Sequence, residues 1–156
     1  MLREMLGLSE RLMTRLHDDH RKVSGLFEEI LATGGQARRT ELFGELRDEL
    51  AAHAKAEEKI VYNRLEKSRD EKVRGFAFEG RVEHNLVYTL LDELQRMRNK
   101  SSEQWTAKLT VLQEMIEHHV KEEESEGFSS IRSECDKEEL DRMADQFERE
   151  KEKLLA

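Results

Sequence analysis

The chain has 156 residues, 40% of them charged, with a formal net charge of −8, no proline and a single cysteine, Cys135. This composition is typical of one domain built from long amphipathic helices, and its acidic balance argues against binding to nucleic-acid backbones. No run of about 18 apolar residues is present, so we expect no membrane span. Residues Met1 to Gly7 lack the pattern of a signal peptide, and one cysteine suits a reducing compartment, so a cytoplasmic protein is expected.

Three groups of turn-forming residues divide the chain, namely Gly34-Gly35, Ser68-Arg69-Asp70 and Asn99-Lys100-Ser101-Ser102. The first segment begins at about Ser9, and the spacing of Ser101 with Gln104, and of Asp136 with Glu139, is that of a helix-starting capping box. We therefore predict an all-α fold. It is an up-down-up-down four-helix bundle over about residues 9–132 with a short additional C-terminal helix over about 136–154, together forming a single domain of residues 1–156.

Within each long segment, apolar residues recur at helical spacing, and a histidine occupies one of the core-facing positions. The stripes are Leu16, His20, Val23, Phe27; Leu46, Leu50, His53, Glu57, Ile60; Ala77, His84, Val87, Leu91; and Leu112, Ile116, His119, Glu123. Each predicted helix therefore directs ionisable side chains toward the core.

The two halves of the chain repeat one another. His20, His53 and Glu57 are followed at offsets of 64, 66 and 66 residues by His84, His119 and Glu123. Flanking residues repeat as well: Asp19 corresponds to Glu83, and the pair Glu57-Glu58 corresponds to Glu123-Glu124. Nine positions after the second histidine of each copy lies an aromatic residue, Tyr62 in one copy and Phe128 in the other. An internal repeat of this kind indicates two copies of one helical hairpin.

Residues equidistant from a turn lie side by side in an antiparallel helix pair. His20 and His53 centre on position 36.5, Glu57 and His84 on 70.5, and His84 and His119 on 101.5, each close to a predicted turn. An error of two residues is only about 3 Å along a helix. Six side chains should therefore meet at one level of the bundle, and burying them without partners would cost several kcal/mol each. We predict a metal site formed by His20, His53, Glu57, His84, His119 and Glu123.

Other polar residues near this level are expected to have lesser roles. His118 is one position out of the repeat, and His17 lies one turn before His20, so both are expected at the surface, with support of the site as the alternative for His17. Glu58 and Glu124 lie about 100° around the helix from the preceding glutamates, which favours solvation over metal contact.

Tyr88 lies four residues after His84, on the same predicted face. We predict that its hydroxyl reaches a metal or the water bound to it, which would make Tyr88 the catalytic residue of an active site; an ordinary core tyrosine is the alternative.

The predicted C-terminal helix carries Leu140, Met143 and Phe147 on one stripe. Packing of this stripe on the bundle is the simplest expectation. Contact with a protein partner, or with a second copy in a homodimer, is the alternative.

The ordered motifs Asp-His, His-x-x-x-Glu-Glu, Glu-His and His-Val-x-x-Glu-Glu resemble those of the hemerythrin-like, or HHE cation-binding, family over about residues 10–132. The resemblance implies two iron ions with an oxo or hydroxo bridge. In that arrangement His20 and His53 hold one iron, His84 and His119 hold the other, and Glu57 and Glu123 bridge the two. Oxygen-carrying hemerythrins have a third histidine where this chain has Tyr88 and an aspartate where it has Glu123. These differences favour a function other than plain oxygen carriage.

Imidazole and carboxylate ligands suit iron, manganese and zinc, and the resemblance favours iron. No glycine-rich loop or basic cleft indicates a larger substrate, so the expected ligand is oxygen, peroxide or nitric oxide. We predict a protein that binds or senses a small oxidant or iron. If it is an enzyme, the expected activity is the decomposition of peroxide. The alternatives are an iron-responsive protein-interaction module without turnover and an inert structural bundle.

Overall fold

The computed structural model describes residues 10–156, and this part of the chain consists of helices joined by short connections, without a β-strand. The predicted helix start at Ser9 and the segment Met1 to Gly7 lie outside the described residues. In chain order the elements are α1 (Arg11–Ala32), α2 (Gln36–Glu57), a first π-helical segment (Glu58–Tyr62), α3 (Asn63–Leu65), α4 (Glu71–Arg96), α5 (Glu103–Glu122), a second π-helical segment (Glu123–Gly127), α6 (Phe128–Glu134) and α7 (Lys137–Leu155). The predicted all-α bundle with an additional C-terminal helix is confirmed.

Side-chain caps fix where three of the described helices begin, at Asp70, Ser102 and Asp136. Ser102 is the N-cap of α5, because its hydroxyl oxygen accepts the backbone N–H of Trp105 at 3.1 Å. The capping box predicted at Ser101 is therefore wrong by one residue. The Ser101 hydroxyl instead donates to the carbonyl of Gly34 at 2.8 Å, which joins two of the interhelical turns at one end of the bundle. Asp136 caps α7 as predicted, through the backbone N–H three residues on, at 2.9 Å.

Two apolar clusters fill the bundle. The cluster nearer the turn at Gly34 contains Phe27, Phe43 and Trp105, and the other contains Tyr62 and residues from α7. Along each helix the predicted ligand residues separate the two: Leu16 and Val23 flank His20, Leu50 and Ala56 flank His53, Ala77 and Val87 flank His84, and Ile116 and Phe128 flank His119 and Glu123. The ionisable side chains therefore form one polar layer between two apolar cores.

Helix α7 lies against α1, α2 and the first π-helical segment. Its stripe of Leu140, Met143 and Phe147 is buried in the apolar cluster of its own chain. The packing expected from sequence is therefore observed. This stripe is not available for the homodimer or partner contact that was the alternative, because its apolar surface is already covered.

Among residues 10–156, no helix has the combination of length and mean hydropathy needed to cross a bilayer. Charged residues recur on the outward face of every long helix, as expected when only one stripe is apolar.

Candidate metal centre

The structure brings the six predicted ligand residues together, and all six are buried. The two glutamates are the most completely enclosed, with 0% of Glu57 and 1% of Glu123 exposed. Charged carboxylates are almost never this deeply buried unless they are paired or coordinate a metal. The polar layer is therefore built to hold cations.

Donor atoms in the layer form two groups that share Glu57. One group contains His20, His53, Glu57 and Glu123, and the other contains Glu57, His84 and His119; in each, one ligand atom per residue lies within 4.8 Å of the others. The His84 Nε2 atom is 3.1 Å from Glu57 Oε1, and the His20 Nε2 atom is 3.1 Å from Glu123 Oε1. His119 Nε2 lies 3.3 Å from Glu123 Oε2, so the second glutamate also borders both groups. Each of the two groups could hold a metal ion, and the groups lie side by side.

On the outer side of the layer, each of the four histidines donates its Nδ1–H to a carboxylate. The pairs are His20 with Glu124 at 2.7 Å, His53 with Asp19 at 2.8 Å, His84 with Glu58 at 2.8 Å and His119 with Glu83 at 3.2 Å. A proton held on Nδ1 makes Nε2, which is directed at the shared glutamates, the nitrogen that can bind a metal ion. The expectation that Glu58 and Glu124 are simply solvated is wrong, since both orient an imidazole.

A π-helical segment lies at the glutamate pair of each repeat. The first segment begins at Glu58 and the second at Glu123. The wider i→i+5 turn shifts the residues that follow relative to α-helical phase, and such turns are frequent at functional sites. Counting in steps of 100° from His53 therefore stops predicting side-chain directions beyond Glu57.

Tyr62 is a candidate site residue that the sequence prediction missed. It is 0% exposed, and its hydroxyl oxygen lies 3.5 Å from His84 Nε2 and 3.3 Å from His119 Nε2, while these two nitrogens are 3.3 Å apart. Three donor atoms at such spacing fit around one ion, because bonds of about 2.1 Å place its ligands roughly 3 Å apart. The available signal was the aromatic position of the repeat, where only one copy, Tyr62 rather than Phe128, carries a hydroxyl.

Tyr88 lies on the other side of His84. Its hydroxyl donates to Glu58 Oε2 at 2.5 Å, the carboxylate that accepts the Nδ1–H of the same histidine. The structure therefore places the Tyr88 hydroxyl behind the imidazole, where it supports Glu58. The predicted reach to a metal or its bound water is not seen for Tyr88, and the phenol on the Nε2 side of the layer is that of Tyr62.

The two remaining histidines lie at the rim. His17 is half-exposed and its Nδ1 is 2.8 Å from Glu124 Oε1, so it shares a carboxylate with His20. His118 is exposed and pairs with Glu122 one turn along the same helix. The sequence prediction of surface positions holds for both, and the supporting role considered for His17 takes the form of this shared carboxylate.

The charges in the layer show that it fits a cation. All four carboxylate oxygens of Glu57 and Glu123 are buried without a hydrogen-bond partner, as is the Nε2 atom of His20. Burial alone would lower the pKa of His53, but the carboxylates of Asp19 and Glu57 outweigh it and raise that pKa to about 10. In the metal-free protein, the negative charge of the buried carboxylates favours protonated imidazoles. Metal ions bound to the same Nε2 atoms would supply the positive charge in place of these protons.

Gly80 makes room for the Tyr62 phenol. A Cβ atom at Gly80 would lie 2.5 Å from the Tyr62 ring carbon that carries the hydroxyl, and 2.5 Å from the hydroxyl oxygen. We expect Gly80→Ala to destabilise the metal-free protein by about 1–3 kcal/mol, because the buried ring must move. Urea denaturation measures this effect. Gly75→Ala is the matched control on the same helix, since no atom lies within 4 Å of its added Cβ, and it should stabilise by up to about 1 kcal/mol. Equal effects of the two substitutions would contradict the close contact.

Comparison with known protein families agrees with this geometry. The sequence model of the Hemerythrin HHE cation binding domain matches residues 11–131. The matched range includes all six buried ligand-type residues and Tyr62, and it ends within α6, before α7 begins.

Two known proteins are similar to most of the chain. An uncharacterized hemerythrin-like protein of Schizosaccharomyces pombe is 32% identical over 143 residues, which is 89% of this chain and 70% of that protein. A DNA nickase of Nostoc sp. is 30% identical over 142 residues, which is 87% of this chain and 38% of that protein. The chain thus spans well under half the length of the Nostoc relative. No solved structure matches.

Proposed function

The chain belongs to the hemerythrin HHE cation-binding domain family, and we propose that it is a non-haem di-iron protein that binds or senses a small oxidant such as oxygen, peroxide or nitric oxide. The observation that carries this proposal is the pair of donor groups sharing Glu57. A carboxylate common to two groups suits two adjacent ions better than a single ion. Iron is proposed over manganese and zinc because a mixed imidazole and carboxylate set with a buried phenol suits ferric iron.

When bound, two iron ions would supply open coordination positions for the oxidant and, in the ferrous state, electrons to reduce it. The ligand roles proposed for the chain follow the two groups: His20 and His53 for one ion, His84 and His119 for the other, and Glu57 and Glu123 between them. The outer carboxylates hold each imidazole in the tautomer that binds metal. Tyr62 holds a proton at its hydroxyl in the metal-free protein, since burial and the charges of Glu57 and Glu123 raise its pKa well above the usual range.

The size of the approach to the centre supports a small ligand. A cavity of about 190 Å³ between α1 and α5 reaches His20, and Phe27, Ile116 and Val120 contribute to its lining. Ligand pockets for larger organic molecules usually measure about 300–1,000 Å³. Mostly apolar walls of this size suit a diatomic molecule or a peroxide.

Protein produced with iron supplementation and purified without chelators should contain about two irons per chain, as the two donor groups require. We expect near-ultraviolet absorption typical of bridged ferric iron. Metal analysis together with an absorption spectrum tests the proposal. Stoichiometric zinc, or one iron per chain after saturation with ferrous iron, would contradict it.

An iron-responsive interaction module without turnover is the second candidate, and it is favoured by the contact between α7 and the metal layer. In this case metal should raise the melting temperature strongly, because an ion that binds only the folded state stabilises it by mass action. If the iron-loaded protein consumes peroxide no faster than free iron does, this candidate is favoured. Much faster consumption would favour an enzyme that decomposes peroxide. The nickase activity of the Nostoc relative is not proposed here, because the similarity covers 38% of that protein and this chain has a net charge of −8.

A further inference from the structure

Helix α7 reaches the metal layer although it lies beyond the residues that the family model matches. The Phe147 ring packs edge-on against the His53 imidazole, with ring centroids 5.6 Å apart at an angle of 74°. One turn further on, the ammonium of Lys151 is buried, with 9% of the residue exposed. Its Nζ donates to Asp19 Oδ1 at 2.6 Å and also to Glu49. The helix therefore brings an aromatic ring and a buried cation to the His53 side of the centre.

Asp19 connects this cation to the centre. Its Oδ2 atom accepts the Nδ1–H of His53, and its Oδ1 atom accepts from Lys151, so the two oxygens bind groups from different parts of the chain. A carboxylate held at both oxygens cannot rotate away from the imidazole. We propose that Lys151 is a positioning residue of the metal centre, which holds Asp19 against His53 and thereby sets the affinity for the ion bound by His20 and His53. This inference rests on the proposed di-iron function.

The internal repeat supplies a natural comparison. Glu83 is the counterpart of Asp19 and accepts the Nδ1–H of His119 at 3.2 Å. Its side chain is 28% exposed, against 7% for Asp19, and among the described residues no lysine or arginine forms a salt bridge with it. The counterpart of Asp19 beside the second pair of histidines therefore has no lysine or arginine among the described residues to hold it, and Lys151 should act on one of the two ions.

The buried charges explain why the ammonium is needed. Lys151 lies between two carboxylates, Asp19 and Glu49, which are 5% and 4% exposed. Lys22 reaches Glu49 from the surface at 3.2 Å, and within residues 10–156 its salt bridge is to Glu49 alone. Without Lys151, the two carboxylates would repel each other in a poorly solvated space. Asp19 would then turn away, and His53 would lose its acceptor.

The experiment measures stepwise binding of ferrous iron to the metal-free full-length protein, by anaerobic equilibrium dialysis. In Lys151→Met we expect one iron to bind as in the parent protein and the other about 10- to 100-fold more weakly, the usual effect of losing an outer partner of a metal-binding histidine. Lys151→Arg should restore most of this affinity. The control Lys59→Met removes an exposed ion pair with Glu150 of α7, whose atoms are 3.0 Å apart, and should change neither step.

Two further variants test that Lys151 acts through Asp19 on one ion. Asp19→Asn should show the same loss as Lys151→Met, and the double variant should lose no more than either alone. In a His53→Ala background, Lys151→Met should leave the remaining iron unaffected. The proposal would be overturned if the affinity losses of Asp19→Asn and Lys151→Met added up in the double variant. It would also be overturned if Lys151→Met weakened binding of the remaining iron in the His53→Ala background.

Circular dichroism establishes that each variant is folded. If Lys151→Met does not fold, the variant that combines it with Glu49→Gln removes the repulsion and should fold with the same weakened step. If a folded Lys151→Met variant bound both irons with the affinities of the parent protein, the positioning role would be overturned. A parent protein that binds fewer than two irons would instead contradict the proposed function.

Discussion

Glu57→Gln and Glu123→Gln should each abolish the loading of two irons. The amide keeps the volume of the side chain but removes the negative charge that both ions share. Glu57 belongs to both donor groups, and the oxygens of Glu123 lie 3.1 Å from His20 Nε2 and 3.3 Å from His119 Nε2. We expect at most one iron per chain in each variant, measured by metal analysis after saturation, and loss of the near-ultraviolet absorption of the bridged pair.

The controls are the adjacent glutamates. Glu58→Gln and Glu124→Gln remove a charge one residue further along, from side chains that hold an imidazole by its Nδ1–H. These changes should weaken iron binding by about 10- to 100-fold while leaving two irons at saturation. If Glu58→Gln lost the second iron at saturation, Glu58 would itself be a ligand. Retention of two tightly bound irons in Glu57→Gln would refute the shared role of that residue.

Tyr62→Phe should remove a visible absorption band from the ferric protein. The Tyr62 hydroxyl lies within 3.5 Å of the Nε2 atoms of both His84 and His119, so it is close enough to share an ion with these two histidines in the proposed centre. Its pKa is raised in the metal-free protein by burial and by two nearby carboxylates, whereas a ferric ion at this position would favour the phenolate. We therefore expect a phenolate-to-iron charge-transfer band in the parent protein.

Tyr88→Phe is the matched control, since it removes a hydroxyl from the same layer on the outer side of His84. This variant should keep the band and bind iron somewhat more weakly, because Glu58 loses a donor. Loss of the band in Tyr88→Phe and its retention in Tyr62→Phe would restore the role that the sequence predicted for Tyr88. A parent protein without any such band would show that Tyr62 stays protonated and is not a ligand.

The level of the polar layer could be predicted from sequence because it depends on regular features. Helical periodicity placed His20, His53, His84 and His119 on core-facing stripes. Their equal distances from the turns then placed them at one height, since antiparallel helices joined by short connections align residues equidistant from the turn. The repeat supplied an independent check, and small errors in the turn positions shift a residue by only about 1.5 Å each.

Side-chain directions around the layer were decided by the tertiary structure. The π-helical segments change the helical phase after Glu57 and after Glu122. As a result, the side chain of Tyr62, nine residues after His53, is buried in the core, although steps of 100° would direct it to the opposite face from His53. Period counting assumes 100° per residue, so one widened turn invalidates every direction beyond it.

The contact of Lys151 with Asp19 also depends on tertiary structure, because it joins residues 132 positions apart. From the sequence, the apolar stripe of α7 indicated a helix that packs on the bundle, but a stripe does not specify where along the bundle the helix docks. The docking position follows from burial of Phe147 beside His53 and of Lys151 between Asp19 and Glu49. The sequence alone thus determined the helices and the height of the centre, which follow from local periodicity, while helical phase and long-range packing determined the surroundings of each ligand.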